Sequence, residues 1–530
     1  MNGRVCICFQ DEFIYVIGQI VVNPSEICAL FIDGCGTPPI DPTKSTWTLP
    51  IPDNKPPYVT PKQPAANAPT LKVLHLSDLH IDMQYKPGTE GDCSEPMCCR
   101  DPNDPNEKSS KDIKSPAGYW GHIGNCDAPY WLFVSMMQNI AANHKDLDYV
   151  VVSGDYESHA DWNYKHSSHQ AMIANISLVM QQYLPNIPIY FTVGNHEGVP
   201  IDNFAPHWTP QQFWMDWLYG SMADAWKQWV PADQDSGLRY RGSYMKQLYP
   251  GLRLISLNNG LGDSNNFYLY INQTDPDESM TWFIQQLSDA EKAGDKVHVV
   301  AHIPGGAGEM LESWSLVYYQ AVNRFENTVV AQFFGHTHSD EFYVSYLDPS
   351  DFRSRPTSVV FSAPSLTTYS DYQPAYRVCT IDGNYPGSSF QILDFEEWFL
   401  NLTEANANPS NPTWQKLYSA KDEYGLSSML PSEWNNMIER MKTDDALFDK
   451  YRKNYYRRNN IPCDAKCRNG FLCDCRQLHH EGKLCSDLTN SPTIKKTKGK
   501  KKNVERPPID LNKERKALQD LKAKSAKCPI

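Results

Sequence analysis

The chain has 530 residues, 41% hydrophobic, 12% aromatic and 21% charged, with a formal net charge of -13. A chain this long and this aromatic is folded rather than disordered, and it exceeds one ordinary domain, so a catalytic core of ~300 residues with smaller appendages is expected. The acidic balance gives no support to a nucleic-acid binder. Fifteen cysteines in clusters, with N-x-S/T sequons at Asn175, Asn272 and Asn401, point to disulfide pairing in an oxidising compartment and hence to a secreted or lysosomal protein. Each sequon is expected on an exposed loop or edge.

In chain order, Met1 to Gln10 shows no basic stretch followed by an apolar run and a cleavage site, so no signal peptide is visible. The sequence is read as starting downstream of a natural secretory start. No run approaches the ~20 apolar residues of a membrane span. Residues 1–37 form a small module with Cys6, Cys8, Cys28 and Cys35. Within it, Pro24-Ser25-Glu26-Ile27-Cys28-Ala29-Leu30 and Cys35 resemble the last helix of a saposin-type domain, of which only about the second half is present. This helical N-terminus is either a working lipid module or a leftover amphipathic helix. Residues 38–69 are proline-rich and predict a stiff linker.

From 70 to 394 short apolar runs alternate with helical stretches, as in an α/β catalytic domain. The buried-strand candidates are Leu71 to Leu76, Tyr149 to Val152, Ile187 to Val193, Lys296 to Ala301 and Thr328 to Phe334. Residues 395–490 read as a helical C-terminal domain with small disulfide loops among Cys463, Cys467, Cys473, Cys475 and Cys485. Residues 491–530 are lysine-rich and predict a disordered tail, solvated or held by an anionic membrane surface. No obligate protein partner is expected.

Each strand candidate ends in residues that can bind a metal: Asp78-Leu79-His80, Gly154-Asp155, Gly194-Asn195-His196-Glu197, His302, and Gly335-His336-Thr337-His338. Asp, Asn and His at such positions suit zinc, iron or manganese, and the glycines let the backbone turn sharply beneath the ions. One D-x-H would carry little weight; five motifs in succession form a constellation. Their order resembles that of the calcineurin-like metallophosphoesterases. The resemblance implies a four-layer sandwich, two mixed sheets flanked by helices, with a dinuclear centre at the strand ends.

Carried over by position, Asp78, His80 and His338 would hold one ion and Asn195, His302 and His336 the other, with Asp155 bridging. Two cations ~3.5–4 Å apart clamp phosphate oxygens and deprotonate a shared water, whose hydroxide attacks phosphorus in line. The alkoxide leaving group then needs a proton. His196 is the first candidate for that acid, or for holding charge on the transferring group, and His159 the second; Glu197 is read as orienting a histidine.

A finer resemblance, to the acid sphingomyelinase family, runs from Pro24 to about Cys485. It is carried by Lys296 to Pro304, Gly335 to Phe342, Ala363-Pro364-Ser365-Leu366-Thr367-Thr368-Tyr369, Tyr376-Arg377-Val378, Ile381-Asp382-Gly383-Asn384-Tyr385 and Asn401-Leu402-Thr403. The family implies two zinc ions, sphingomyelin of membranes or lipoproteins as substrate, ceramide and phosphocholine as products, and an acidic working pH. It also implies the bridges Cys93–Cys98, Cys99–Cys126, Cys463–Cys467 and Cys473–Cys485, leaving Cys379, Cys475 and Cys528 without evident partners. Two departures stand out. Asn265 replaces the family's glutamate, and two family cysteines, one in the segment of Asn265-Asn266-Phe267 and one just before Ser313-Trp314, are both absent, which suggests one missing bridge.

Tyr164, Trp208, Tyr369 and Tyr372 are aromatic candidates for a choline cation. The rival readings are a phosphodiesterase of nucleotides or other soluble diesters, and a non-catalytic lipid-binding protein. A purple-acid-phosphatase reading is disfavoured because Ser158 stands where G-D-x-x-Y needs tyrosine.

Overall fold

The computed structural model of the protein describes residues 9–19, 47–104, 111–306 and 308–488. Its strands are β1 (Thr70–Leu76), β2 (Ile81–Asp82), β3 (Ala128–Pro129), β4 (Tyr149–Val152), β5 (Ile189–Phe191), β6 (Tyr244–Tyr249) and β7 (Leu252–Ser256). They continue as β8 (Lys296–Val300), β9 (Val329–Phe334), β10 (Glu341–Tyr346), β11 (Pro356–Ser362), β12 (Ala375–Asp382), β13 (Ile392–Leu400) and β14 (Trp414–Ser419). Two six-stranded mixed sheets result, ordered β14-β13-β12-β1-β4-β5 and β10-β11-β9-β8-β7-β6.

In each sheet the strands that lead to the motifs pair in parallel, β1 with β4 and β4 with β5, β7 with β8 and β8 with β9, while the added strands β12 to β14, β6 and β10 pair antiparallel. Parallel strands buried on both faces need continuous apolar runs, which is why Tyr149-Val150-Val151-Val152 and Val297 to Val300 were legible. The sheets meet face to face: the His75 ring lies edge-on to Phe333, and Tyr149 Oη lies 2.7 Å from His298 Nδ1 across the interface. All five strands that precede the candidate ligands therefore end at one rim, where loops from both sheets converge. Helices such as Tyr130–Asn143, His166–Tyr183, Ser279–Ala293 and Glu312–Arg324 flank them, as the sandwich reading requires.

The helical pattern read from about Asp394 starts later than expected. β13 runs through residues 394 and 395 and β14 follows, completing the first sheet. Their wide aromatic side chains pack on both sheet faces and hide the period-2 signal. Helices Pro431–Met441, Asp445–Tyr455 and Ala465–Asp474 come next, and Trp434 seals the end of the sandwich against Phe342, Phe361 and Phe395.

The proline-rich stretch, described from Trp47 onward, is strapped to the domain. Arg324 donates from Nε to the Pro52 carbonyl (2.7 Å) and from Nη2 to that of Asn54 (3.0 Å), and Lys55 pairs with Glu326. Of the N-terminal module only Gln10–Gln19, a helix, is described together with Phe9; the saposin-like residues 24–35, the lysine-rich tail and Cys528 lie outside the described residues. Phe9 packs on Tyr164 and Val199, Val16 on Ala205 and Tyr268.

All four family-implied disulfides are present, and Cys379 and Cys475 are buried thiols. The two segments for which the resemblance implied a missing bridge lie side by side: Asp263 and Met310 form an antiparallel bridge, and the Ser264 N–H donates to the Glu309 carbonyl (2.5 Å). Asn175 is exposed on the helix His166–Tyr183 rather than on a loop, whereas Asn272 is an exposed loop residue and Asn401 caps the helix Leu402–Ala407. No described helix is long and apolar enough to cross a membrane.

Candidate metal centre

Asp78 and His80 follow β1, Asp155 follows β4, Asn195 and His196 occupy a single 3-10 turn after β5, His302 follows β8, and His336 and His338 follow β9. Five of these residues, Asp78, His80, Asp155, His336 and His338, hold positive φ values between 36° and 73°. Such a conformation costs a non-glycine residue on the order of 1–3 kcal/mol and persists only where the surroundings impose it, typically at functional sites. Two glycines make room. A Cβ at Gly335 would collide with Ser77 Oγ and Asp78 Oδ2, and one at Gly194 with the carboxylate of Asp155.

The donors converge. His80 Nε2 lies 3.3 Å from Asp155 Oδ2, 3.1 Å from His338 Nε2 and 3.9 Å from Asp78 Oδ1, and His338 Nε2 lies 3.8 Å from Asp78 Oδ1. On the other side His302 Nε2 lies 3.0 Å from the same Asp155 Oδ2 and 2.9 Å from Asn195 Oδ1, which is 3.0 Å from His336 Nδ1. Ligands at 2.0–2.1 Å around a tetrahedral ion stand ~3.3 Å apart, so both groups match such an ion and share one oxygen. Asp155, His302 and His336 form one cluster able to hold a metal.

The imidazoles are oriented for this. The Nδ1 of His80 faces the Glu157 carbonyl (2.7 Å) and that of His302 the Ser153 carbonyl (2.6 Å), which places the proton on Nδ1 and leaves Nε2 bare. Burial works against charge on His80 and His302, yet the hydrogen bonds and charge of Asp155, with Asp78 beside it, raise them to about 9 and about 10. Burial likewise opposes the Asp155 carboxylate, but His302 and His196 hold it well below its usual range. Without a metal the two carboxylates thus keep a second proton on each of the His80 and His302 imidazoles, and a metal entering the site must displace those protons.

His159 and His196 also approach His80 closely enough to be counted with it. The His159 ring, however, stacks on His80 at 4.0 Å and 27°, and in-plane lone pairs of stacked rings do not converge on one ion. His159 Nδ1 instead meets Asp127 at 2.9 and 3.1 Å, and its N–H donates to Asp127 Oδ2 (2.6 Å). His196 Nδ1 meets Tyr164 Oη at 2.6 Å, and its N–H donates to Asp155 Oδ1. Burial lowers both imidazoles, His196 well below the ordinary value and His159 less, since the charge of Asp127 opposes the shift.

Asp155, His159, Asn195, His196, His336 and His338 line an open cleft of about 560 Å³, with Asp161, Trp162, Ile201, Asp202, Asn265, Glu309 and Tyr369 on its walls. Asp78, His80 and His302 are fully buried at its floor.

Several residues escaped the sequence reading. Asp127, Asp202 (accepting from Asn195 Nδ2, 2.8 Å), Glu309 (2.5 Å from His336 Nε2) and Arg457 belong to no motif. Arg457 is buried; it donates to the carbonyls of His338 and Gln373 and to Ser365 Oγ. Glu197 does not orient a histidine. Its carboxylate accepts the N–H groups of Gly194, Asp155 and Tyr156 and so fastens two ligand loops together. Of the choline candidates, Tyr164 is occupied by His196, the face of Tyr372 is covered by Arg457, Trp208 is not on the cleft wall, and Tyr369 lines it while stacking on His159.

Fold and site define a calcineurin-like phosphoesterase: residues 71–340 match the family profile described as calcineurin-like phosphoesterase, and 356–485 that described as acid sphingomyelin phosphodiesterase C-terminal region. The chain is 40% identical over 505 residues to sphingomyelin phosphodiesterase 2 of Caenorhabditis elegans, covering 92% of this chain and 81% of that protein. It is 40% identical to the human sphingomyelin phosphodiesterase, over 90% of this chain and 76% of that one. At 27% identity, over 78% and 91%, it is similar to the rat cyclic GMP-AMP phosphodiesterase SMPDL3A. The chain belongs to the acid sphingomyelinase family and is a hydrolase.

Proposed function

We propose that the protein is a metal-dependent phosphodiesterase that hydrolyses sphingomyelin of membranes or lipoproteins to ceramide and phosphocholine. The observation that carries this reading is the sharing of Asp155 Oδ2 by two groups of convergent donors at the floor of one cleft. Asp78, His80 and His338 would hold one cation and Asn195, His302 and His336 the other, both zinc as in the family the chain resembles. Bound there, the pair supplies Lewis acidity to the phosphoryl oxygens and a water acidic enough to attack phosphorus at mild pH.

The protein's own groups complete the reaction. With Nδ1 held by Asp127, His159 presents Nε2 to the cleft, and Asp127 stabilises its protonated form. It is therefore the better donor of the proton that the leaving ceramide oxygen takes, reversing the preference for His196 suggested by the Gly194-Asn195-His196-Glu197 motif. His196, with Nδ1 on Tyr164, is placed to bind a phosphoryl oxygen when protonated. Asp161, Trp162 and Tyr369 give one cleft wall a carboxylate and aromatic faces suited to a quaternary ammonium.

Two observations favour a lipid over a soluble diester. The relatives at 40% identity are named sphingomyelin phosphodiesterases. In addition, the cluster that seats Phe9 includes Trp162 and Ile201, which also line the cleft, so an apolar side chain from the start of the helix Gln10–Gln19 adjoins the site. The four disulfides suit a secreted or lysosomal enzyme.

The test is phosphocholine release from sphingomyelin liposomes at mildly acidic pH, before and after chelation and zinc return, with a cyclic dinucleotide in parallel. Chelator-sensitive release is the expected result. Turnover of the dinucleotide alone would move the substrate class, and turnover of neither would leave a lipid-binding protein.

A further inference from the structure

Three of the four histidines that would hold the cations turn their second nitrogen toward the backbone. His80 Nδ1 faces the Glu157 carbonyl at 2.7 Å, His302 Nδ1 that of Ser153 at 2.6 Å, and His338 Nδ1 that of Tyr369 at 3.5 Å. His336 is built the other way round. Its Nδ1 points inward to Asn195 Oδ1, and its Nε2 points into the cleft, where the Glu309 carboxylate meets it at 2.5 Å. The His336 side chain is 14% exposed and that of Glu309 45% exposed, so this anchor stands in the mouth of the site.

The segment carrying Glu309 is itself held. Its carbonyl accepts the Ser264 N–H, Met310 pairs with Asp263, the Leu311 N–H donates to the Gly262 carbonyl (2.8 Å), and His480 Nε2 lies 2.8 Å from the Met310 carbonyl.

We propose that Glu309 is a positioning residue for the second cation. By accepting the Nε2 proton of His336 it selects the tautomer whose Nδ1 lone pair faces Asn195 and Asp155, and it fixes the ring in that orientation. Neutral imidazole carries one proton, so a carboxylate on Nε2 leaves Nδ1 as the ligand nitrogen. A ligand histidine whose outer partner is removed loses affinity for its metal by about 10–100-fold. On the side of Asp78, His80 and His338 nothing touches Glu309, so that cation is unaffected. The proposal rests on the dinuclear reading above.

The test is metal content per chain of the zinc-loaded protein after dialysis against graded chelator, for wild type, Glu309→Ala and Glu309→Gln, with the melting temperature of each metal-stripped protein measured alongside. Wild type is expected to retain two ions, and Glu309→Ala to release one of them at about 10–100-fold lower chelator while the other follows wild type. Glu309→Gln, whose amide oxygen still accepts the Nε2 proton, falls between, and the stripped proteins melt together. Two ions in Glu309→Ala that both follow wild type, or that are both lost earlier, overturn the role of Glu309. A wild-type protein that never holds two ions overturns the dinuclear reading and this proposal with it.

Discussion

On the side of Asp78, His80 and His338 every donor is buried, and the scaffold around it is made of backbone and a buried cation. Asp78 accepts the His336 N–H, His80 leans on the Glu157 carbonyl, and Arg457 reaches in from the helical C-terminal region to grip the His338 carbonyl. On the side of Asn195, His302 and His336, only His302 is braced that way. Asn195 is held by Asp202 and His336 by Glu309, two side chains on the cleft wall. One half of the centre is therefore part of the core and the other is assembled at its mouth. Burial gives rigidity to the first, whereas the second opens onto the cleft, where the proposed reaction would bring substrate.

Asp155 joins the halves, so its loss has the largest expected effect. Asp155→Ala should lower phosphocholine release by about 10⁴-fold and leave fewer than two ions per chain, since several kcal/mol of transition-state stabilisation go with them. Full activity or two retained ions would show that the halves do not depend on a shared oxygen. Next, His159→Ala should reduce kcat by about 10²–10⁴-fold. Asp127→Asn, which keeps the shape but not the charge, should cost about 10–100-fold with unchanged metal content. If His196→Ala is the more severe and His159→Ala is nearly silent, the proton comes from the other ring.

Arg457→Met tests the buried half through stability. Three acceptors lose their donor, so the protein should be less stable by on the order of 3 kcal/mol, read as a lowered melting temperature. An unchanged melting temperature would mean that the C-terminal region only covers the site.

The smallest effect concerns pH. Burial raises Glu341, three residues beyond His338, to about 7, although hydrogen bonds from Tyr343 and Tyr455 pull the other way, and burial raises Asp474 to about 6. Carboxyls raised on folding contribute stability fully below their unfolded values near ~4, and that contribution is lost as pH rises through 6 and 7. The melting temperature should accordingly be higher at pH 5 than at pH 8. Glu341→Gln should shrink the corresponding difference in unfolding free energy by on the order of 3 kcal/mol. Greater stability at pH 8 would contradict this and would weaken the case for an acidic compartment.

The convergence of the seven candidate positions was legible in the sequence, as were the sandwich and, through the family resemblance, the four disulfides. Each ligand follows a buried strand, and strands such as Tyr149–Val152 announce themselves by apolar runs. Sequence reasoning erred where side chains did two things at once: the aromatic strand Ile392–Leu400 read as the start of a helical domain, and Glu197, set in a histidine-rich motif, read as serving a histidine.

From the sequence alone came the order of the motifs, and with it the metal chemistry, because a parallel sheet gathers its strand ends at one rim and any ligand placed there must meet the others. Only the tertiary structure decided which groups hold those ligands. His159 and Asp127 are 32 residues apart and His338 and Arg457 are 119 apart. Contacts of that kind cross loops between elements, where no periodicity of the backbone records which side chain faces which.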